Sequence, residues 1–297
     1  MATAFCPAHI TGFFKAELNK EDSKQLGSLG AGFSIQKGVK TTVTIRNKTK
    51  HDISNFTIKV NGFESGDMRV SEVVLSKFPT KEKFVDVIHE IDVPVGYGFG
   101  SSAAVALSLS IALNDALECK LSKIKVAQIA HDVEIECKTG LGDVLASYHG
   151  GFEIRDKPGA PGIGHVQKIA LNEISIIMIC FSPISTSKFI KERLPQINGL
   201  GGKMVNKLLE SKNYEHFQEM SLEFAKYVDV MTPRMQKVVN ELSKNNIKCG
   251  IALFGETIFS MIPKEKENKV LEILKKYSDG IIIKSELDDV GARVLHN

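Results

Sequence analysis

The segment Pro94-Val95-Gly96-Tyr97-Gly98-Phe99-Gly100-Ser101-Ser102-Ala103-Ala104 is where residue types and spacing in this 297-residue chain say most about chemistry. Alternating glycines let the backbone approach a ligand closely. A helix opening at the serines aims its unpaired N–H groups and positive dipole end at whatever lies in front. Such a place suits phosphate. A Walker A loop is excluded because no lysine is present, and a dinucleotide turn is excluded because Ser101 stands at the last glycine position of GxGxxG. The bland alternative is a glycine turn capped by serine, although three glycines before two serines exceed what a turn requires.

Further along, Asp143 follows Gly140-Leu141-Gly142. A carboxylate with an ordinary pKa of about 3.9 is ionised at neutral pH and can accept a hydroxyl proton; the competing reading is an N-cap for residues 144–148. His131 and Glu134, three apart, share a helix face. Glu134 offers oxygen to Mg²⁺, or else forms an ion pair with Lys138. Arg155 could hold a substrate carboxylate with its guanidinium fork, or pair with Asp156 at the surface. On spacing alone, Ser28 reads as a turn residue, Thr186 as a helix N-cap, and His9 as a packed strand histidine.

These residues need elements to position them. Residues 40–47 (KTTVTIRN) and 55–61 (NFTIKVN) alternate as half-buried antiparallel strands do. Residues 84–93 form a strand that Pro94 ends, and the glycine loop then leads into an apolar helix from Ser101. Its most apolar part, residues 103–113, contains Ser108 and Ser110 and is shorter than the ~20 residues of a membrane span, so it is expected inside the protein. A second helix runs from an N-cap at Ser122 to about Cys137, and a strand covers 152–155. The stretch 157–165 (KPGAPGIGH) is the richest in Pro and Gly, which places a boundary between domains 1–165 and 166–297. The second half reads as a strand (174–181), helices (187–246), two strands (248–254, 257–262), a helix (264–277) and a strand (280–284). That βαββαβ order is ferredoxin-like, and the fold class is α+β.

Composition sets the outer limits. Hydrophobic residues at 43% and charged residues at 25% describe a globular chain with a core, and the net charge of +3 is too mild for a general nucleic-acid binder. The basic run 37–51 lacks the interleaved aromatics of a base-stacking surface. Five scattered cysteines without CxxC spacing argue against zinc or a disulfide framework and fit a reducing cytoplasm. No secretory pattern opens the chain and no membrane segment is expected.

The loop PxGxGxGSSAA resembles the phosphate-binding signature PxxxGLGSSAA of the GHMP small-molecule kinases, with Phe99 in place of the usual Leu. Gly140-Leu141-Gly142-Asp143 followed by Tyr148-His149-Gly150-Gly151 resembles their second motif, and residues 250–257 (GIALFGET) an eroded form of their third, GxxxSGxGPT. The opening 5–14 (FCPAHITGFF) and 27–32 (GSLGAG) look like the archaeal-type pantoate kinases. The resemblance spans essentially the whole chain. It implies a two-domain fold, with an N-terminal domain like ribosomal protein S5 domain 2 and a ferredoxin-like C-terminal domain. It also implies ATP and Mg²⁺ as cofactors: Gly96, Gly98, Gly100, Ser101, Ser102 and Ala103 would bind the nucleotide, Glu134 and Ser102 the metal. Asp143 and Glu134 would be catalytic, and Ser28, His131, Arg155 and Thr186 would bind pantoate, the small-molecule partner. Another acceptor, such as mevalonate or homoserine, and a non-catalytic ligand- or RNA-binding module stay open at this stage. The sequence leaves the assembly state open as well, a homodimer being one outcome.

Overall fold

The computed structural model describes residues 1–63 and 66–296, apart from the side chains of Thr186 and Ser187. Two long strands, β1 (Ala2–Glu17) and β2 (Gly27–Asn47), form an antiparallel hairpin whose register shifts at Pro7/Ala8 and Thr11/Phe13. Such irregularities bend a strand and re-aim its side chains. The shifts bracket His9 and Thr11, which both face the site described below. One end of β2 pairs with β4 (Lys83–Ile91) and the other with β5 (Phe152–Lys157), which pairs in turn with β6 (His165–Ile169).

β3 (Phe56–Gly62) lies outside β4 and parallel to it, not antiparallel as the alternation suggests. The reason is α1 (Arg69–Ser76), which carries the chain back between the two strands as the crossover that parallel pairing requires. On this sheet rest α2 (Ser101–Ala116), α3 (Lys123–Cys137) and the short α4 (Asp143–His149). α2 is buried almost all round, with Ala103, Ala104, Leu107 and Leu109 inaccessible, and Ser108 is accommodated by a 2.6 Å hydrogen bond with Thr41. Ser122 caps α3 as the sequence predicts, accepting from the Lys125 N–H.

The second sheet follows from β7 (Ile174–Pro183), three helices α5 (Thr186–Ser211), α6 (Tyr214–Tyr227) and α7 (Pro233–Lys244), the hairpin β8 (Gly250–Ala252) and β9 (Gly255–Pro263), α8 (Glu267–Leu274), and β10 (Ile281–Glu286). Its order, β10-β7-β9-β8, antiparallel throughout, is that of the expected ferredoxin-like unit. The chain then returns, and β11 (Arg293–Leu295) pairs with β1. The Pro- and Gly-rich stretch 157–165 leads from β5 into β6, so the first sheet continues past residue 165 and is completed by the chain's end.

One face of the second sheet packs against α7 and α8; the other shares a continuous core with the first sheet. Phe217 of α6 is central to that shared core. Its ring stacks on Phe259 at 5.7 Å and lies 5.1 Å from Phe152 and 5.8 Å from Phe13. Burying one such ring contributes about 1.5–3 kcal/mol, so this cluster fixes how the two sheets face each other across the site. α5 also approaches the backbone of β1 closely: a Cβ at Gly201 would overlap the Phe14 carbonyl oxygen. Gly201→Ala is therefore expected to destabilise the protein by about 1–3 kcal/mol through overpacking. Urea unfolding measures this, and an unchanged midpoint would show that α5 is free to shift off β1.

Candidate active site

Gly96, Gly98 and Gly100 all adopt the left-handed backbone, with φ of +84°, +86° and +57°. Glycine takes this conformation without steric cost. At Gly100 a Cβ would also press on the His9 carbonyl oxygen (3.2 Å) and the Asp143 side chain (3.4 Å). Gly100 is the N-cap of α2 and offers no side-chain cap; the first helical N–H to be used is that of Ala104, bonded to the Gly100 carbonyl. The N–H groups of Ser101, Ser102 and Ala103 therefore remain for an anion, next to the positive end of a sixteen-residue helix.

The loop is held from three sides. His9 N–H donates to the Phe99 carbonyl, Ile184 N–H to that of Gly96, and the Thr257 hydroxyl to that of Tyr97 at 2.8 Å. Gly255 packs where any side chain would meet Tyr97. The eroded third motif thus braces the loop from the second sheet. In front of the loop lies a cavity of about 450 Å³. Gly96, Gly98, Gly100, Ser101, Ser102, Lys138, Thr139 and Asp143 are among its lining residues, and so are the apolar Val60, Val70, Ile91 and Val95, so one space offers groups suited to phosphates and to a base.

Glu134 is 2% exposed. Its Oε2 accepts from the Ser102 hydroxyl at 3.1 Å and its Oε1 from that of Thr139 at 2.5 Å. The alternative pairing with Lys138 does not occur, because the chain turns left-handed there at the end of α3 and Lys138 lines the cavity instead. Burial, with the nearby charge of Asp143, pushes the Glu134 carboxyl up to about 7 despite the two hydroxyl donors.

Asp143 is the first residue of α4, and Gly142, not Asp143, occupies the N-cap position. Its Oδ1 instead meets His9 Nδ1 at 2.8 Å, with the Thr11 hydroxyl at 3.5 Å. The other side of the His9 ring faces the buried Glu153 (3.2 and 3.3 Å), and Glu153 accepts from Arg155 Nη1. Burial alone would hold the His9 pKa down, but the charge of Glu153 and the hydrogen bonds with Asp143 and Glu153 raise it. Burial likewise disfavours a charged Asp143. The His9 hydrogen bond and charge, with Arg155 behind, outweigh it and keep that carboxylate's pKa below its ordinary value. Asp143 and Glu134 are pushed in opposite directions, the pattern by which two carboxyl groups acquire different roles.

A second, smaller space of about 10 Å³ lies beyond Asp143, lined by Thr11, Phe14, Ser28, Leu141, Gly142, Ile190 and Phe254. Arg155 is 1% exposed and bound to Glu153 rather than to Asp156, which is taken up by His165 and Gln167. Arg155 Nε has no partner among the described residues, and both it and the Ser28 hydroxyl crowd the side of Gly142 where a Cβ would stand. Ser28, Arg155 and Asp143 thus come together. His131 does not join them: it is buried on α3 and donates through Nε2 to the Ser23 carbonyl at 3.1 Å. Thr186 heads α5, but its side chain lies outside the described residues; the N-cap position is held by Ser185. Sequence reasoning gave no role to His9, Thr139 or Glu153. For His9 the available signal was its place in the motif-like opening; Glu153 and Thr139 carry none.

A loop of left-handed glycines on a helix N-terminus, facing two unlike carboxyls between two sheets, defines the phosphate site of a GHMP-type kinase. Residues 68–151 match the family model of the GHMP kinases N terminal domain. Pantoate kinase from Methanocaldococcus jannaschii is 34% identical over 277 residues, covering 91% of this chain and 96% of that one. The pantoate kinase from Thermococcus kodakarensis is 29% identical, covering 91% of each. Among solved structures, a phosphotransferase related to the CoA biosynthesis pathway superposes with a TM-score of 0.88 at 28% identity, over 98% of this chain and 97% of that one. The homoserine kinase of Cytophaga hutchinsonii shares the fold, with a TM-score of 0.67 at 18% identity over 99% and 97%. This chain belongs to the pantoate kinase family of the GHMP kinases.

His89, on the cavity lining, provides a pH test of the site's dry interior. Its Nδ1 lies 2.8 Å from the Thr41 hydroxyl and its Nε2 3.0 Å from that of Ser71, and burial pushes its pKa down to about 4. The unfolded chain, titrating near 6.5, binds the proton first, so stability is full above about 6.5 and falls as the pH drops toward 4. Between pH 7 and 4.5 the wild type should lose roughly 1–3 kcal/mol more than His89→Gln in urea unfolding. Parallel pH dependences would mean that the imidazole is hydrated in the folded protein.

Proposed function

We propose that the protein transfers the γ-phosphoryl group of ATP to the 4-hydroxyl of (R)-pantoate, giving 4-phosphopantoate for coenzyme A synthesis in the cytoplasm. One observation carries the reading: Asp143 and Thr11 stand in the wall shared by the larger cavity and the smaller space, so a proton acceptor lies where a donor phosphate and an acceptor hydroxyl would meet. The five cysteines are unpaired, and among the described residues no helix is long and apolar enough to cross a membrane.

The chain's own groups divide the work. The N–H groups of Ser101, Ser102 and Ala103 bind phosphate oxygens, and Lys138 adds positive charge from the far side. His9 donates to Oδ1 of Asp143, which holds the carboxylate ionised and leaves Oδ2 to accept the hydroxyl proton. The Asp143 side chain keeps 15% exposure, so it remains open to the cavity. Ser28 and the spare Nε of Arg155 are placed to take the acid group of the acceptor. His131 acts at one remove by holding the segment that carries Ser28, and Thr186 keeps its acceptor-binding role on the resemblance alone, heading α5 next to Ser185 of the larger cavity's lining.

The residues fit Mg²⁺ as a companion of the nucleotide. Among the described residues no group of three or more His, Cys, Asp or Glu could hold a metal alone, but a carboxylate and a hydroxyl suffice when phosphate oxygens and water complete the shell. Glu134, whose buried carboxyl resists ionisation beside Asp143, and Ser102 form that pair. When bound, the ion would neutralise charge on the phosphates.

Asp143→Asn and Glu134→Gln should each lower kcat by about 10²–10⁴-fold; Glu134→Gln should melt like the wild type, whereas Asp143→Asn, which gives up its ionic partnership with His9, should fold but melt lower. Arg155→Ala would strand Glu153 in the interior at a cost of about 3–5 kcal/mol, so Arg155→Lys is the informative variant and should chiefly raise the KM for pantoate. Phosphorus NMR of the product from ATP and (R)-pantoate should show a phosphomonoester on the primary alcohol. No such product, or unimpaired turnover in the two carboxyl variants, would overturn the mechanism.

A further inference from the structure

Phe254 occupies the two-residue turn between β8 and β9 with φ of +67°, a region in which a bulky side chain is an outlier. Glycine or asparagine would be the unstrained choice at such a turn. The turn is nevertheless pinned: Leu253 N–H donates to the Thr11 carbonyl, and the Leu253 carbonyl fills the space beside Gly98. Strain that the surroundings hold in place beside a site points to a use for the side chain.

The ring's position suggests the use. Three residues form the wall common to the larger cavity and the smaller space: Thr11, Asp143 and Phe254. The first two are polar and the third is the apolar part. The lining of the smaller space combines the polar Ser28, Thr11 and Asp143 with the apolar Phe14, Leu141, Ile190 and Phe254. Phe254 packs on Phe14 at 5.6 Å and on Phe189 at 5.3 Å. At about 10 Å³ the space holds a water molecule and no more, so an acceptor must displace a wall. Thr11 and Ser28 belong to the paired strands β1 and β2, Leu141 precedes α4 and Asp143 opens it. The half-buried Phe254 ring and Ile190, both borne by the second half of the chain, are the wall members outside that framework.

We propose that Phe254, with Ile190, is the specificity-determining contact for the branched carbon of the acceptor, so that the enzyme selects a hydroxy acid with a dimethyl-substituted carbon over its unbranched counterpart. This rests on the pantoate reading above. Polar groups for the carboxylate and hydroxyls and apolar groups for the methyls, together in one lining, match the chemistry of such a molecule. Each apolar carbon seated against a hydrophobic wall typically changes kcat/KM by roughly 10- to 200-fold.

The test compares kcat/KM for (R)-pantoate and for 2,4-dihydroxybutanoate, which keeps the acid and both hydroxyls but lacks the methyls. Phe254→Gly removes the ring and relieves the backbone, and is therefore expected to fold; Ile190→Ala trims the opposite wall from a separate element. The wild type should prefer pantoate by about 100-fold or more. Phe254→Gly should reduce that ratio at least tenfold and Ile190→Ala by a smaller factor, mainly through the KM for pantoate. A wild type that uses both acids equally, or a ratio unchanged in both variants while pantoate is still phosphorylated, overturns the inference and leaves the pantoate reading intact. A wild type that phosphorylates neither acid, yet turns over another alcohol, overturns the pantoate reading itself.

Discussion

The structure depends on a row of four charged side chains, Asp143, His9, Glu153 and Arg155, laid through the interior between α4, β1 and β5. The last three are essentially inaccessible to water. Charges can be buried only if they neutralise one another, since each would otherwise cost several kcal/mol of lost hydration. Two carboxylates and one guanidinium leave a net negative charge, and both nitrogens of His9 face a carboxylate. Against burial, which lowers it, the carboxylates on either side raise the His9 pKa, toward the charged imidazole that would balance the row. The charge at Asp143 is thereby set from behind, by groups that need not touch a substrate, while its outer edge stays open to the cavity.

That row constrains the fold around it. His9 must lie on β1 opposite the end of β5, and the irregularity at Pro7/Ala8 immediately precedes it. The same residue's backbone N–H holds Phe99 of the glycine loop. One position thus couples the glycine loop to Asp143, and a shift of β1 would disturb both. The second sheet contributes by compression: Thr257 and Gly255 press on Tyr97, and the Phe217 cluster keeps the sheets from sliding. A third motif stripped of its usual Ser and Pro can therefore still brace the loop, because the interactions that do so are a hydroxyl at Thr257 and the missing side chain at Gly255.

The parts legible in the sequence were those with local causes. The glycine spacing, the Ser122 cap and the apolar run of α2 are each decided by neighbours in the chain, and the βαββαβ order follows from alternating local patterns. What stayed hidden depends on distant partners. The parallel pairing of β3 is dictated by where α1 crosses, and the return of residues 293–295 to β1 has no local signature. The site divides in the same way. Asp143 and the serines are embedded in recognisable strings, whereas Glu153 matters only because the register Gly32↔Glu153 places it beside His9. For Arg155 the sequence offered a carboxylate fork or a surface pair with Asp156; successive strand residues face opposite ways, so the pair does not form and the inward Arg155 meets Glu153 two residues back.

The two carboxyls are held in opposed states although they lie close together. Gly140 lies between them, close enough that a Cβ there would strike Glu134 and lie 3.2 Å from Asp143 Oδ2. At that separation two ionised carboxylates repel, and the repulsion falls on the one without a cationic partner in the chain, Glu134. Asp143 has His9 and stays charged; Glu134 has only hydroxyl donors and is left waiting for a positive charge from outside. On the proposed reading, a divalent ion held with phosphates would satisfy Glu134 and ease the repulsion on Asp143 together, because one positive charge would lie near both carboxyls.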